Sequence, residues 1–403
     1  MIAAEGSRRD ITLMSTADWD HPFWTNKQHV ACSLAELGHR VLYVESLGLR
    51  PPRLEAQDLR RVFNRLLRCL RPPRRVRERL WVWSPLLIPG AKRPWQQQLN
   101  RWILQAMVAF WQRWLGLRAD LLWTYNPLTL QVFHPGGYRQ LVYHCVDDLA
   151  AQPCMPVALI QRWEERLCRA STVVFVTSRE LERSRGPFNA NTVYFSNVAD
   201  LAHFLPARGG QLPLPADLQL LPGPRLGFVG AVSAYKLDLA LLRQLALQRP
   251  DLSLVLIGRV GEGDPGTDLQ GLEQLPNVHL LGPRPYSQLP HYLAGCDLAL
   301  LPCPINPYTR SMFPMKFFEY LAAGLPVVAT NLPALQEFGS WEGVSLCSDA
   351  KAFLQAVDHW LARRRQGSWQ PPELPEAWSY RGRTMAMLEH LQHRQDRWTA
   401  PVN

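Results

Sequence analysis

The residues best placed by type and spacing to do chemistry lie in the stretch 306–330. Lys316 and Glu319 are three apart, which puts both side chains on one face of a helix, and Arg310 stands just upstream. Pro314 suits a first helical position, Gly324 a C-terminal cap and Pro326 a stop before a following strand. A helix start of this kind offers free amides and a positive dipole end. With the Lys316 ammonium, it can hold a diphosphate without a metal. Thr309, Arg310 and Ser311 lie on the approach to it. The plainer alternative is a solvated ion pair on a surface helix.

Two apolar runs ending in glycine offer further phosphate partners. The run 226–230 ends in Gly230 with Lys236 six residues on, and the run 254–258 ends in Gly258 followed by Arg259. Glycine lets a ligand approach the backbone, and a cation neutralises phosphate; each loop by itself is equally well explained as a turn. Neither fits the Gly-x-Gly-x-x-Gly or Walker patterns, which counts against dinucleotide and NTPase chemistry. For removing a proton, the candidates are Asp147 and Asp148 after the run 141–146, and Asp20 with His21 after the run 11–17. Adjacent carboxylates raise one another's pKa, which suits a general base, whereas an Asp ahead of a helix caps its amides. Both roles fit. Asp18-Trp19-Asp20 has the outward form of an Asp-x-Asp metal motif; His29 and His144 read as packed or solvated imidazoles, and Glu36 as a solvated face.

These residues need elements to position them, and the chain has room for two cores: 403 residues, 47% hydrophobic and 19% charged. Short apolar, β-branched runs alternate with helical patterns, first at 11–17, 41–45, 81–83, 121–125, 141–146 and 173–177, then at 226–230, 254–258, 278–281, 298–301 and 326–330. Near-continuous apolar strands of this sort belong to parallel sheets covered by helices on both faces. The expected fold class is α/β, with two doubly wound, Rossmann-like domains and ligands outside the carboxyl ends of the strands. Residues 1–205 read as the first domain, 206–224 as a Pro- and Gly-rich linker, 225–375 as the second domain and 376–403 as a last helix. The eight cysteines show no Cys-x-x-Cys pair, which predicts reduced, mostly buried thiols in a reducing compartment. No secretory leader and no membrane-spanning stretch is expected.

The sequence resembles the GT-B glycosyltransferases, specifically bacterial relatives of family 4 that build cell-surface polysaccharides. The resemblance runs through Asp18-Trp19-Asp20-His21-Pro22, Gly38-His39-Arg40-Val41-Leu42-Tyr43-Val44-Glu45 and Tyr143-His144-Cys145-Val146-Asp147-Asp148. It continues through Ser196-Asn197-Val198-Ala199-Asp200, Leu256-Ile257-Gly258 and, most specifically, Pro314-Met315-Lys316-Phe317-Phe318-Glu319-Tyr320 with Gly324-Leu325-Pro326-Val327-Val328. It implies two facing domains, the first binding acceptor and the second binding donor, with the final helix crossing back to the first. It further implies that Glu319 accepts hydrogen bonds from a nucleotide ribose and that Lys316 with the helix start binds the diphosphate. The reaction implied is metal-independent, cofactor-free transfer of a sugar from a UDP or GDP sugar to a lipid-linked or polysaccharide acceptor. Eight positions before Glu319, where the family often has a second Glu toward the donor sugar, this sequence has Ser311. The competing readings are a sugar-nucleotide epimerase of the same fold and a non-catalytic membrane- or nucleic-acid-binding protein.

Charge adds a partner. The net +10 is concentrated in 50–118, where 16 Lys and Arg face Glu55, Asp58 and Glu78, a local +13 that leaves about −3 for the rest. A helical stripe of Leu59, Val62, Phe63, Leu66, Leu67 and Leu70 among arginines, followed by Trp81 and Trp83, suggests that 59–83 meets an anionic membrane surface. Nucleic acid is not expected, because the aromatic and basic residues there sit on opposite helix faces. Cytoplasmic location, peripheral on the inner face of the plasma membrane, follows. A second stripe, from Leu99 through Trp102, Ile103, Ala106, Met107, Phe110, Trp111 and Trp114 to Leu115, is expected to face the domain core.

Overall fold

The computed structural model describes residues 8–21, 23–47, 71–88, 93–264 and 266–392. It divides into two compact units: the first runs to Ala150, continues over Met155–Phe195 and resumes at Tyr380, while the second holds Ala151–Cys154 and Ser196–Ser379.

The first unit is built on eight strands: β1 (Asp10–Met14), β2 (Arg40–Val44), β3 (Arg74–Arg77), β4 (Leu80–Trp83), β5 (Leu121–Thr124), β6 (Gln140–Cys145), β7 (Val173–Val176) and β8 (Thr192–Tyr194). Their spatial order is β3-β4-β2-β1-β5-β6-β7-β8. All neighbours are parallel except the β3/β4 hairpin, and Ile11 pairs with Val41 on one side and Leu121 on the other. The second unit holds β9 (Arg225–Val229), β10 (Ser253–Ile257), β11 (Val278–Leu280), β12 (Leu298–Leu301), β13 (Val327–Thr330) and β14 (Val344–Cys347), ordered β11-β10-β9-β12-β13-β14 and wholly parallel. In both sheets the order reverses once, at β1/β5 and at β9/β12, which makes the carboxyl ends of those strands the natural place for a crevice.

The apolar runs are continuous because each sheet is covered on both faces. In the second unit Val229, Val255, Ile257, Leu301 and Ala329 enter one core, while Leu226, Phe228, Leu254, Leu256, Leu300 and Val328 enter the other. Strands β3, β8 and β14 escape sequence reading for a physical reason. The first is an exposed Arg-Arg-Val-Arg edge, and the other two have three and four residues, too short to show a period.

Three expectations are corrected. The boundary falls at Ser196, and residues 206–224 do not form a free linker: Ala207 and Leu218 are buried in the second unit's core, with Leu218 fully enclosed. The helix Pro94–Trp114 turns Asn100, Leu104, Val108, Trp111 and Gln112 inward, while Leu99, Trp102, Phe110 and Trp114 are exposed. Apolar residues surround this helix almost completely, so their period alone does not choose a face. The choice is made by amides that find partners inside: Asn100 bonds both backbone groups of Ile88, and Gln112 donates to Thr12 Oγ1 and Tyr138 Oη. Finally, the stripe at 59–70 lies outside the described residues, and Trp83 is buried in the sheet rather than available to a membrane.

The helix Tyr380–Gln392 packs against the helix Asn26–Glu36 within the first unit, where Tyr380 stacks on His29 with ring centres 4.3 Å apart. Among the described residues seven cysteines are free thiols, all buried except Cys154.

Two buried histidines tie stability to pH. His144 lies fully enclosed against Tyr125 and Trp123, neither ring nitrogen has a hydrogen-bond partner among the described residues, and burial pushes its pKa down to about 3. His39 accepts the Arg9 N–H at Nδ1 and is pushed down to about 4 by burial, with the Arg9 charge acting in the same sense. A folded pKa below the ordinary 6.5 means that the unfolded state takes the proton first. Stability is therefore complete above pH about 6.5 and is lost as pH falls toward the folded values. We expect the melting temperature to drop across this window and His144→Phe, which keeps a ring but removes the proton site, to recover roughly 2–3 kcal/mol at pH 4.5 relative to its effect at pH 8. Parallel acid profiles for the two proteins would refute this.

Candidate functional site

In the second unit the stretch 306–324 forms two short helices, Pro307–Ser311 and Lys316–Ala322, rather than one helix starting at Pro314. Pro314 disfavours helical backbone at Phe313 before it, and Met312 is already extended. Asn306 closes the first helix reciprocally: its side chain accepts the Thr309 N–H at 2.9 Å, and Thr309 Oγ1 accepts the Asn306 N–H at 3.0 Å. The Thr309 hydroxyl also donates to the Pro304 carbonyl, so it serves the turn itself. Ser311 is buried, its hydroxyl 3.4 Å from the Pro307 carbonyl, and Arg310 is exposed.

The next helix holds the pair the sequence singled out. Lys316 Nζ lies 2.6 Å from Glu319 Oε2, and the Glu319 side chain is 1% exposed. Its other oxygen, Oε1, is buried and accepts no hydrogen bond among the described residues. Burial pushes this carboxyl's pKa up; Lys316 and, farther off, His203 pull it down, and Asp200 opposes them. Such a group is a charged acceptor with half its capacity unused.

Its surroundings hold it in place. Phe317, Phe318, Tyr320 and Leu321 lie in the core, and Tyr320 Oη accepts the Val229 N–H at 2.7 Å, fastening the helix to the end of β9. Asn197 Nδ2 donates to the Phe313 carbonyl at 2.9 Å just ahead of the helix. At the other end the Arg208 guanidinium donates to the Leu321 and Ala322 carbonyls, capping the helix terminus. Gly324 follows at φ +82°, a left-handed turn suited to glycine.

The glycine loops separate into a structural part and a polar part. A Cβ at Gly258 would stand 1.7 Å from the Gly230 carbonyl oxygen, so Gly258 is demanded by the packing of two strand ends. Lys236 reaches over Tyr235 and Tyr308, its ammonium 5.2 and 5.6 Å from the ring centres, and Asn306 Nδ2 donates to the Tyr235 carbonyl. The loops after β9 and β12 are thus joined, with Lys236 beside the helix that contains Arg310. Arg259 is exposed at the end of β10.

The acidic candidates of the first unit have other partners. Asp148 Oδ1 accepts the Ala150 N–H at 3.2 Å and pairs with Arg185 at 3.3 Å, while Arg185 also holds buried Glu164 at 2.9 Å. Asp147, half-buried, sits next to it at the end of β6. Asp20 is exposed and paired with Arg74 at 2.5 Å, and the ring of exposed His21 is bound to the Phe23 backbone. Strand β5 lies between β1 and β6, so the two groups of candidates follow strands roughly 10 Å apart at ordinary strand spacing. Sequence reading missed Arg185, Glu164, His203, Tyr320 and Arg208 as organisers. Only His203 gave a signal, following Asp200 at the three-residue spacing of an N-cap, which it fulfils.

Comparison with known proteins accords with this geometry. Residues 223–363 match the family model described as Glycosyl transferases group 1. A Bacillus subtilis protein described as the teichuronic acid biosynthesis glycosyltransferase TuaH is 41% identical over 125 residues, 31% of each sequence, so less than a third of that relative's length is matched. Among solved structures, sucrose-phosphate synthase from Thermosynechococcus elongatus superposes with a TM-score of 0.63 at 17% identity, covering 96% of this protein and 99% of that one. The Anabaena protein HepE, solved with UDP and glucose, gives 0.60 at 16% identity, covering 94% and 99%. The protein has the GT-B fold, and within it residues 223–363 of the second unit are similar to the glycosyl transferases group 1 family.

Proposed function

We propose that the protein transfers a sugar from a nucleotide diphosphate sugar, of UDP or GDP type, to a lipid-linked or polysaccharide acceptor. The observation that carries this reading is the unused Oε1 of Glu319, a buried carboxylate oxygen beside a cation, which suits the vicinal hydroxyls of a ribose. UDP is the first nucleotide to test because the Anabaena neighbour was solved with it. A cell-surface polysaccharide acceptor is supported by the teichuronic acid relative, and the basic segment from 59 to 79, without the buried strand Leu80–Trp83, is read as meeting an anionic membrane from the cytoplasmic side.

Breaking the bond between sugar and phosphate builds positive charge at the anomeric carbon and negative charge on the departing diphosphate. Cations already aimed at that phosphate stabilise the second charge without reorganising. Lys316 takes this role, with Lys236, Arg259 and Arg310 as further donor-side cations, so transfer should persist in EDTA. The acceptor hydroxyl must lose its proton. Asp148 is engaged by Arg185 and the Ala150 amide, and we assign the base to Asp147, with Asp20 and His21 next in order.

Donor-dependent release of free UDP or GDP, measured with acceptor present, tests the reaction class; nucleotide binding without release would overturn it. In calorimetric titration Glu319→Gln should weaken UDP binding roughly 10- to 150-fold, the loss of a charge-assisted pair of about 1.5–3 kcal/mol, with the circular dichroism spectrum unchanged. Equal affinity would remove Glu319 from the donor site. Lys316→Ala should lower kcat more than it raises the donor KM, because its charge matters most as the phosphate departs. For the two acids, Asp147→Asn should lose most transfer at unchanged stability. Asp148→Asn should instead lose about 1 kcal/mol of stability through its ion pair with Arg185, since the amide oxygen still accepts the Ala150 N–H. Full transfer by Asp147→Asn would move the base to Asp20 or His21.

A further inference from the structure

The helix Pro94–Trp114 has its most polar inward residues and its largest apolar outward residues in the opposite of the usual arrangement. Asn100 and Gln112 are buried and hydrogen-bonded, while Trp95, Trp102, Phe110 and Trp114 are 56, 68, 55 and 60% exposed. With Leu99 and Ala106 between them, these side chains recur every three or four residues and form a single line along the helix. The line spans roughly 28 Å from Trp95 to Trp114. It is also held in shape: buried Trp111 meets Phe110 and Trp114 edge-on, with ring centres 4.7 and 5.7 Å away.

We infer that this outer face is a docking surface for an anionic lipid bilayer, on which the helix lies flat with its three indoles at the boundary between headgroups and acyl chains. Charge selects this occupant. The helix contains no Asp or Glu, and from Lys92 to Arg118 the sequence has five Lys and Arg and no acid. Arg113 stands exposed within the band, and Arg93 stands exposed at the helix start. An indole is an apolar ring with one donor, and it is best satisfied where one side is hydrocarbon and the other is wet. A straight aromatic line flanked by cations matches a plane that is apolar inside and negative at its surface. Among the described residues no helix is long and apolar enough to cross a membrane, so this helix would lie on the bilayer, not span it. The inference deepens the membrane part of the proposed function, but it rests on a different segment from 59–79 and needs no catalysis.

The test uses the full-length protein and vesicles of phosphatidylcholine with or without phosphatidylglycerol, followed by co-sedimentation. Wild type should bind the anionic vesicles, bind neutral ones poorly and release as salt rises. Trp102→Gln, Phe110→Gln and Trp114→Gln combined should weaken binding to the anionic vesicles about tenfold or more. Melting temperature and UDP affinity should not change, because all three side chains face outward. Arg93→Gln with Arg113→Gln should weaken only the salt-sensitive part. Failure of wild type to bind anionic vesicles at low salt would overturn the inference, as would equal binding by the triple variant. Self-association of wild type in sedimentation velocity that the triple variant loses would also overturn it, by assigning the face to a second copy. Loss of vesicle binding with UDP affinity intact separates this outcome from failure of the donor-site reading.

Discussion

A carboxylate that is almost wholly withdrawn from water governs the second unit. Burying the Glu319 charge is costly, and the single ammonium of Lys316 compensates one of its two oxygens. The arrangement persists because the helix around it has little freedom to move. Phenylalanine and leucine side chains anchor it in the core, Tyr320 fastens it to β9, Asn197 holds the backbone ahead of it and Arg208 gathers the carbonyls at its end. The group is thus held firmly with one acceptor oxygen unused.

The first unit handles charge differently. Its buried and half-buried acids are largely consumed by arginines: Asp10 by Arg40 and Arg118, and Glu164 with Asp148 by Arg185. Breaking such a pair strands the remaining buried charge, so these acids act first as structure. Adjacent Asp147 and Asp148 look equivalent along the sequence. They become distinguishable once Arg185, 37 residues beyond Asp148, is brought against one of them.

The same principle, polar satisfaction overriding apolar pattern, sets the helix Pro94–Trp114. Two internal amides with good partners outweigh several aromatic rings in deciding which side faces inward, since an unsatisfied buried amide costs about as much as burying a ring gains. The result is an aromatic line left on the surface.

How much was legible follows from which interactions are local. Both sheets could be read from the sequence because a strand covered on two faces must be apolar along its length. The Lys316/Glu319 pair could be read because three residues of helix bring the two side chains together. Glycine at 258 was legible too, but its reason was not: the Gly230 carbonyl that forbids a side chain there comes from another strand. Sequence alone therefore determined the α/β class, the two series of strands and the cation–carboxylate pair. Tertiary structure alone decided the unit boundary at Ser196, the pairing of Asp148 with Arg185, and the outward face of Pro94–Trp114. Each of those depends on a partner far away in the sequence, and a spacing rule does not reach beyond a turn of helix or a pair of strand residues.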